Sequence, residues 1–170
     1  RDGETAATAI EASLTGHTVL STLHTNDAPS AITRLIDIGV EPFMITATLE
    51  AVIAQRLVRR ICASCKQSFA PDEELLRELG PAGAALRQST FHYGQGCEQC
   101  HHTGYRGRTG IFEILHVGPE LRRAVLEGGS TAEIRRAAIA SGMRTLRESG
   151  LVAVTEGRTT VDEVLRETIA

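Results

Sequence analysis

The four cysteines of the chain stand in two C-x2-C motifs, one made by Cys62 and Cys65 and the other by Cys97 and Cys100. Each motif lets two thiolates converge on one cation, and two motifs complete a tetrahedral site with Zn–S distances of about 2.3 Å. The loop between the motifs is 31 residues long, and closing it costs roughly 3 kcal/mol. Structural zinc contributes on the order of 10–16 kcal/mol of binding free energy. The pattern therefore predicts a structural Zn²⁺ site with these four ligands.

Three other kinds of cysteine chemistry stay open at this point. Two disulfides would suit an exported protein, and the N-terminus shows no basic-then-apolar export signal. A redox site would need only one C-x2-C motif. The stretch from Cys97 to His101 matches the haem-attachment pattern C-x-x-C-H, but a haem there would leave Cys62 and Cys65 unused. Because four thiolates are available, we expect His101 and His102 at the surface.

Composition and charge exclude several classes of protein. A net charge of −3 and 4% aromatic residues argue against a dedicated nucleic-acid binder, so a nucleic-acid zinc ribbon is the least favoured reading. No apolar run approaches the length of about 18 residues that a membrane span needs. The only lysine, Lys66, follows Cys65, whereas a phosphate-binding P-loop needs Gly-Lys before Ser or Thr. The chain, which opens without Met, is therefore expected to be part of a longer protein and not to hydrolyse ATP alone.

The first sixty residues alternate between helical and strand patterns. We predict a helix over residues 3–15, a strand over 17–23, a helix capped by Asn26 or Asp27 and ending at Gly39, a helix from Pro42 to about Glu50, and a strand over 52–58. This alternation is typical of part of a parallel α/β sheet. Arg56, Arg59 and Arg60 form a basic edge that we favour slightly for subunit contacts.

The rest of the chain divides into a cysteine-containing segment and a helical one. The segment 62–110 encloses a helix near residues 72–79, and a strand follows over 110–117. From residue 118 onward we predict a helix opened by Pro119 and helices ended by Gly142 and Gly157. Capping boxes are predicted at Ser130 with Glu133, Thr145 with Glu148 and Thr160 with Glu163. The predicted inward-facing residues are Leu121, Val125, Ile134, Ala138, Ile139, Val161, Val164, Leu165 and Ile169.

Seven stretches of the sequence resemble one protein family, the traffic ATPases of general (type II) secretion, which are close to the type IV pilus assembly ATPases. They are residues 1–6, 20–28, 33–43, 54–60, 103–113, 142–146 and 159–165. In the family the first stretch follows the Walker B strand and the second is the His box. The tetracysteine segment stands where the family places it. The residues around Asp37 and Glu41 resemble the secretion member more than the pilus member.

The resemblance implies a fold and an activity. It implies a partial RecA-like parallel sheet (residues 1–61), a tetracysteine zinc module (62–117) and a C-terminal helical subdomain (118–170). The whole protein would be a cytoplasmic homohexameric ATPase, peripheral to the inner membrane, that uses ATP and Mg²⁺ to drive pseudopilus assembly and type II secretion with inner-membrane platform proteins. Its Walker A and Walker B motifs would lie upstream of this chain. The alternatives are a type IV pilus assembly ATPase and a non-enzymatic zinc-containing interaction module.

Five residues are candidates for contact with a nucleotide. The resemblance gives His24 a catalytic role at the γ-phosphate; the plainer reading is a histidine held at a helix entrance by Asn26 and Asp27. The five candidates are His24, Arg1, Asp2, Glu4 and Arg108. Asp2 and Glu4 could orient the water shell of Mg²⁺, or Glu4 could only favour the first helical turn. Arg108, expected in a loop flanked by glycines, could contact the nucleotide or form a surface ion pair.

Overall fold

The computed structural model describes residues 2–168 as a mixed α/β chain. Its elements in order are α1 (Gly3–Leu14), α2 (Ala28–Asp37), α3 (Pro42–Thr48), β1 (Ala51–Ile61), β2 (Lys66–Phe69), α4 (Glu73–Glu78), α5 (Pro81–Leu86), β3 (Phe91–Gly94), β4 (Tyr105–His116), α6 (Pro119–Leu126), α7 (Thr131–Ala140), α8 (Leu146–Thr155) and α9 (Val161–Glu167). None of the helices described in this range is long and apolar enough to cross a lipid bilayer.

The strands pair in two antiparallel ribbons. β1 pairs with β4: the Val117 amide donates to Glu50 O at one end, and the Cys62 amide donates to Gly104 O at the other. β2 pairs with β3, with Lys66 opposite Gly94. The described residues thus confirm a mixture of helices and strands. No parallel sheet occurs between residues 2 and 168, and the RecA-like sheet stays a prediction.

The predicted strand over residues 17–23 is wrong for the chain as described. The backbone from residue 17 to residue 25 is neither helix nor strand, and Leu20 is 93% exposed. A strand is stable only when a neighbour satisfies its amides and carbonyls. Within residues 2–168 no strand pairs with this segment, so its β-branched residues have no sheet to join.

The chain forms two compact units, each built from two separate stretches. The first unit contains residues up to 54 together with residues 113–145. Its core includes the predicted Leu121, Val125, Ile134 and Ala138, which are buried. The prediction was wrong for Ile139, which is 43% exposed, because it lies one position, about 100°, around α7 from the buried stripe.

The second unit contains residues 55–112 together with the residues from 146 onward. Its main apolar cluster joins β3 to the last two helices through Leu79, Phe91, Leu151, Val154, Val161 and Val164. The predicted burial of Val161 and Val164 is thus confirmed, Leu165 is half-buried, and Ile169 lies outside the described residues. The division into segments 1–61, 62–117 and 118–170 concerns function and stays a prediction.

The helix-capping predictions divide into three outcomes. Ser130 and Glu133 form the full reciprocal box at the start of α7. At α9 the Thr160 hydroxyl accepts from the Glu163 amide, while the Glu163 carboxylate accepts from Arg59 instead. The box at residues 145 and 148 stays a prediction.

Candidate metal centre and the His24 segment

Strand pairing brings the two cysteine motifs together. Cys62 and Cys65 lie between β1 and β2, and Cys97 and Cys100 lie between β3 and β4. Each motif forms a short 3-10 turn in which the second cysteine amide donates to the first cysteine carbonyl, at 3.3 Å in one motif and 3.1 Å in the other. Because β2 and β3 pair from residue 66 to residue 94, the ends of the long intervening loop meet at the cysteines.

The four sulfurs have the spacing of a tetrahedral metal site. The Sγ–Sγ distances are 3.9 Å between Cys62 and Cys97, 3.8 Å between Cys65 and Cys100, and 3.7 Å between Cys97 and Cys100. All four sulfurs lie within 4.8 Å of one another. Four ligands at about 2.3 Å in tetrahedral geometry stand about 3.8 Å apart, so the donor set fits a metal ion.

The alternatives for these cysteines fit the structure less well. The sulfurs are much farther apart than the roughly 2.05 Å of a disulfide, and all four cysteines are free. Cys62 and Cys65 belong to the cluster, whereas haem attachment would leave them unused. The metal-binding group found in residues 2–168 holds four sulfurs and no imidazole. His101 and His102 are exposed, as predicted.

Backbone amides point at two of the sulfurs. The Gly96 amide donates to Cys65 Sγ at 3.3 Å, and the amides of Cys97 and Gly104 donate to Cys100 Sγ at 3.2 and 3.3 Å. Burial works against the Cys100 thiolate, but its two amide donors lower the pKa of Cys100 to about 6. Burial raises the pKa of Cys65 to about 12 despite its single amide donor. The sulfur that accepts from two amides, that of Cys100, is thus the one held in the thiolate form that binds metal.

Gly104, next to the metal centre, is constrained both by its backbone conformation and by a close neighbour. Its φ is +78°, and a Cβ added there would lie 2.4 Å from the carbonyl oxygen of Gly94. We expect Gly104→Ala to destabilise the second unit by more than the roughly 1–3 kcal/mol typical of a strained backbone position, and to weaken metal retention. Gly107→Ala is the matched control, since Gly107 also has positive φ but an added Cβ meets nothing within 4 Å. Chelator competition on both variants measures the difference; equal metal affinities would contradict the prediction.

The His24 segment enters α2 through a cap that the sequence predicted. His24 is exposed, and Asp27 accepts from the Ser30 amide at 2.8 Å as N-cap of α2. The second oxygen of Asp27 forms an ion pair with Arg135 of α7 at 2.7 Å. Burial opposes the charge of Asp27, but the Ser30 amide and the Arg135 guanidinium outweigh it and lower the pKa of Asp27.

A second carboxyl group reaches the same helix start. Glu113 of β4 is 1% exposed, and its Oε1 accepts from the Ala28 amide at 2.8 Å. Sequence reasoning did not single out Glu113. The signal was present, because Glu113 shares the inward face of its strand with Ile111 and Leu115, where a charged residue is unusual.

The other proposed nucleotide contacts do not all belong to the same unit. Asp2 is the N-cap of α1, and Glu4 is exposed in the first turn of that helix. Arg108 is exposed within β4 and not in a loop as expected, because the strand extends back to Tyr105. His24, Asp2 and Glu4 belong to the first unit and Arg108 to the second, while Arg1 lies outside the described residues. Their contact with a nucleotide stays a prediction.

The basic edge predicted on β1 is partly used within the chain. The Arg59 guanidinium forms an ion pair with Glu163 at 2.6 Å and lies over the Tyr105 ring at 4.1 Å. Arg166 binds the same carboxylate at 2.7 Å. Arg59 therefore ties β1 to α9 within the second unit, which is a role the sequence did not indicate.

Comparison of the sequence with known protein families identifies a match. The model of the family described as Type II/IV secretion system protein matches residues 1–166. The chain belongs to this family. The chain is 53% identical to the type IV pilus assembly ATPase PilB of Thermus thermophilus, over 99% of this chain and 19% of that protein. It is 49% identical to type II secretion system protein E of Pseudomonas aeruginosa, over 99% of this chain and 33% of that protein.

The chain thus spans a third or less of these two secretion-family relatives. Solved structures share its fold: the pilus retraction motor PilT with bound ADP matches the whole chain and 38% of its own, with a TM-score of 0.65 and 21% identity. The Legionella pneumophila ATPase DotB matches 96% of this chain and 35% of its own, with a TM-score of 0.61 and 21% identity. The relatives include pilus and secretion members alike, so the choice between them stays a prediction.

Proposed function

We propose that this chain is the C-terminal part of an ATPase that couples ATP hydrolysis to pseudopilus assembly and type II secretion. The observation that carries the proposal is the match over 99% of the chain to both a pilus assembly ATPase and a secretion protein E, at 53% and 49% identity. The pilus assembly ATPases are the second candidate, favoured by the higher of these identities. A hexamer, inner-membrane platform partners and a location at the inner membrane belong to the same proposal, with no role for nucleic acid.

The segment 17–23 would be a strand of the RecA-like sheet. Its sequence is that of a strand, and Leu20 is 93% exposed. In the whole protein this segment would join a parallel sheet whose other strands come from the part of the protein outside residues 1–170. The P-loop and the Walker B acidic residues would come from that same part, because Gly-Lys followed by Ser or Thr is absent here.

Zinc is the metal that we propose for the four-sulfur site. Tetrahedral sites of four thiolates take zinc or iron, and zinc supplies a redox-inactive cross-link. Cys62, Cys65, Cys97 and Cys100 would hold the ion, and the amides around Cys100 would stabilise its thiolate. The bound ion would fix the turn between β3 and β4 without taking part in hydrolysis.

Five residues of the chain would contact or lie near the bound nucleotide. His24, exposed just before α2, would meet the γ-phosphate of ATP and act in catalysis. Arg1, Asp2 and Glu4 would lie near the Mg²⁺-bound nucleotide, and Arg108, an exposed guanidinium on β4, would pair with a phosphate or stack on the base. ATP and Mg²⁺ would be cofactors of the full-length protein only.

His24→Ala tests the catalytic assignment in the full-length protein. We expect kcat for ATP hydrolysis to fall by roughly 100-fold, as when one transition-state hydrogen bond is removed, with little change in KM. His17→Ala is the control, since His17 is an exposed histidine of the same segment that contacts Thr15 at the end of α1. Wild-type turnover in His24→Ala would overturn the role of His24. Absence of ATP hydrolysis by the wild-type protein would overturn the proposed activity itself.

A further inference from the structure

The buried carboxyl group of Glu113 has no part in the function proposed so far. Its neighbours on the same face of β4, Ile111 and Leu115, are buried and apolar. Burying a carboxyl group there costs free energy that an isoleucine or leucine would not. Glu113 supplies a hydrogen-bond acceptor for the Ala28 amide, 85 positions earlier in the chain.

This contact fixes the start of α2. Ala28 is the first residue of that helix, and its amide is one of those that no carbonyl of the helix can satisfy. A carboxylate at this end is also favoured by the helix dipole. The preceding residue, Asp27, is held from another side by Arg135 of α7 at 2.7 Å. Two elements of the first unit thus anchor two successive residues.

The anchors limit where His24 can lie. His24 precedes Asp27 by three residues, and three residues span at most about 11 Å. The intervening segment is shortened by a turn in which the Thr25 hydroxyl donates to the Asp27 carbonyl at 3.1 Å. An exposed imidazole on so short a segment takes its position from the residues that anchor the helix start.

We propose that Glu113 is a positioning residue for His24. Through the Ala28 amide it sets the direction in which the His24 segment leaves α2, so that the imidazole is presented to the bound nucleotide in one orientation. This inference rests on the proposed ATPase function, because its expected effect is on the turnover of ATP hydrolysis. Nucleotide affinity is expected to change little.

The test compares Glu113→Ala and Glu113→Gln in the full-length protein. The alanine variant loses the acceptor, and kcat for ATP hydrolysis is expected to fall roughly tenfold, with KM changed less than about twofold. The glutamine variant keeps an acceptor oxygen and is expected to retain most of the turnover. Glu127→Ala is the control, since Glu127 is an exposed glutamate of the same unit. If alanine prevents folding, Glu113→Asp, whose side chain is one methylene shorter and is expected to lose the hydrogen bond to Ala28, takes its place with the same expectation.

A double-mutant cycle separates positioning from simple support of the fold. In a His24→Ala background, Glu113→Ala is expected to lower kcat by less than about twofold, because the group it positions is gone. A second full tenfold loss there, or an equal loss in Glu113→Gln, would overturn the proposal. Hydrogen exchange of the Ala28 amide gives a readout independent of hydrolysis, with protection expected to fall in Glu113→Ala. Unchanged protection overturns the anchor even if the wild-type protein proves to have no ATPase activity.

Discussion

Cys100→Ser is expected to strip the metal from the protein and to unfold the cysteine-containing segment. Cys100 is buried and its sulfur lies 3.7–3.8 Å from two other ligands, so a serine there leaves three thiolates and an open position. Because structural zinc contributes on the order of 10–16 kcal/mol, little else in this segment can compensate. Atomic emission is expected to give one zinc per wild-type chain and none in the variant, with amide exchange over residues 62–105 becoming fast.

Ser64→Ala is the matched control for this substitution. Ser64 lies inside the first cysteine motif, is exposed, and donates to Gln99 at 2.6 Å without touching a sulfur. It should keep full metal content and full protection. Iron in place of zinc would overturn the choice of metal, and a haem absorption band or metal-free wild-type protein with intact protection would overturn the site.

Arg59→Met is expected to destabilise the second unit by about 2–3 kcal/mol. The Glu163 carboxylate is 1% exposed and accepts from both the side chain and the backbone amide of Arg59. Breaking a buried pair outright costs about 3–5 kcal/mol, and a hydrogen bond to a charged group contributes about 1.5–3 kcal/mol. The lower range applies because the Arg59 side chain is 44% exposed and because Arg166 still pairs with Glu163 at 2.7 Å. Arg60→Met, an exposed arginine next along β1, is expected to leave stability unchanged within about 0.5 kcal/mol.

The pH dependence of unfolding distinguishes this ion pair from simple packing. Burial opposes the charge of Glu163, but the hydrogen bonds and charge of Arg59, with Arg166, outweigh it and lower the pKa of Glu163. Because the folded-state pKa is lowered, the ionised carboxylate stabilises the folded protein at pH values above the ordinary glutamate pKa of about 4.3. This stabilisation is lost as the pH falls through the folded-state pKa. Arg59→Met should therefore lose more stability at pH 7 than at pH 3. An equal loss at both pH values would show that packing against Tyr105 is the main effect.

The sequence predicted those features that depend on residues close together in the chain. The cysteine motifs identified their ligands because two residues between cysteines suffice to form each turn. Asp27 was one of the two predicted caps of α2, with Asn26, and its partner, the Ser30 amide, lies only three residues away. The same holds for the full box between Ser130 and Glu133.

Features that depend on distant pairing could not be predicted in the same way. β2 is exposed along its whole length and has no alternating pattern, so only its pairing with β3 defines it. Glu163 resembled an ordinary member of a capping box, yet its carboxylate binds Arg59, 104 residues away. For the segment 17–23 the sequence predicted a strand that the structure does not contain. Its composition is that of a strand, but no partner strand lies in residues 2–168.

Because each unit is assembled from two stretches of chain, the order of synthesis on the ribosome bears on how the second unit matures. All four cysteines emerge before α8 and α9, which follow after a further stretch of the first unit. At about 5–20 residues per second, the wait from Gly104 to Glu163 lasts several seconds. A nascent chain that captures its ion during that interval would hold β2 and β3 together until α9 arrives to place Glu163 against Arg59.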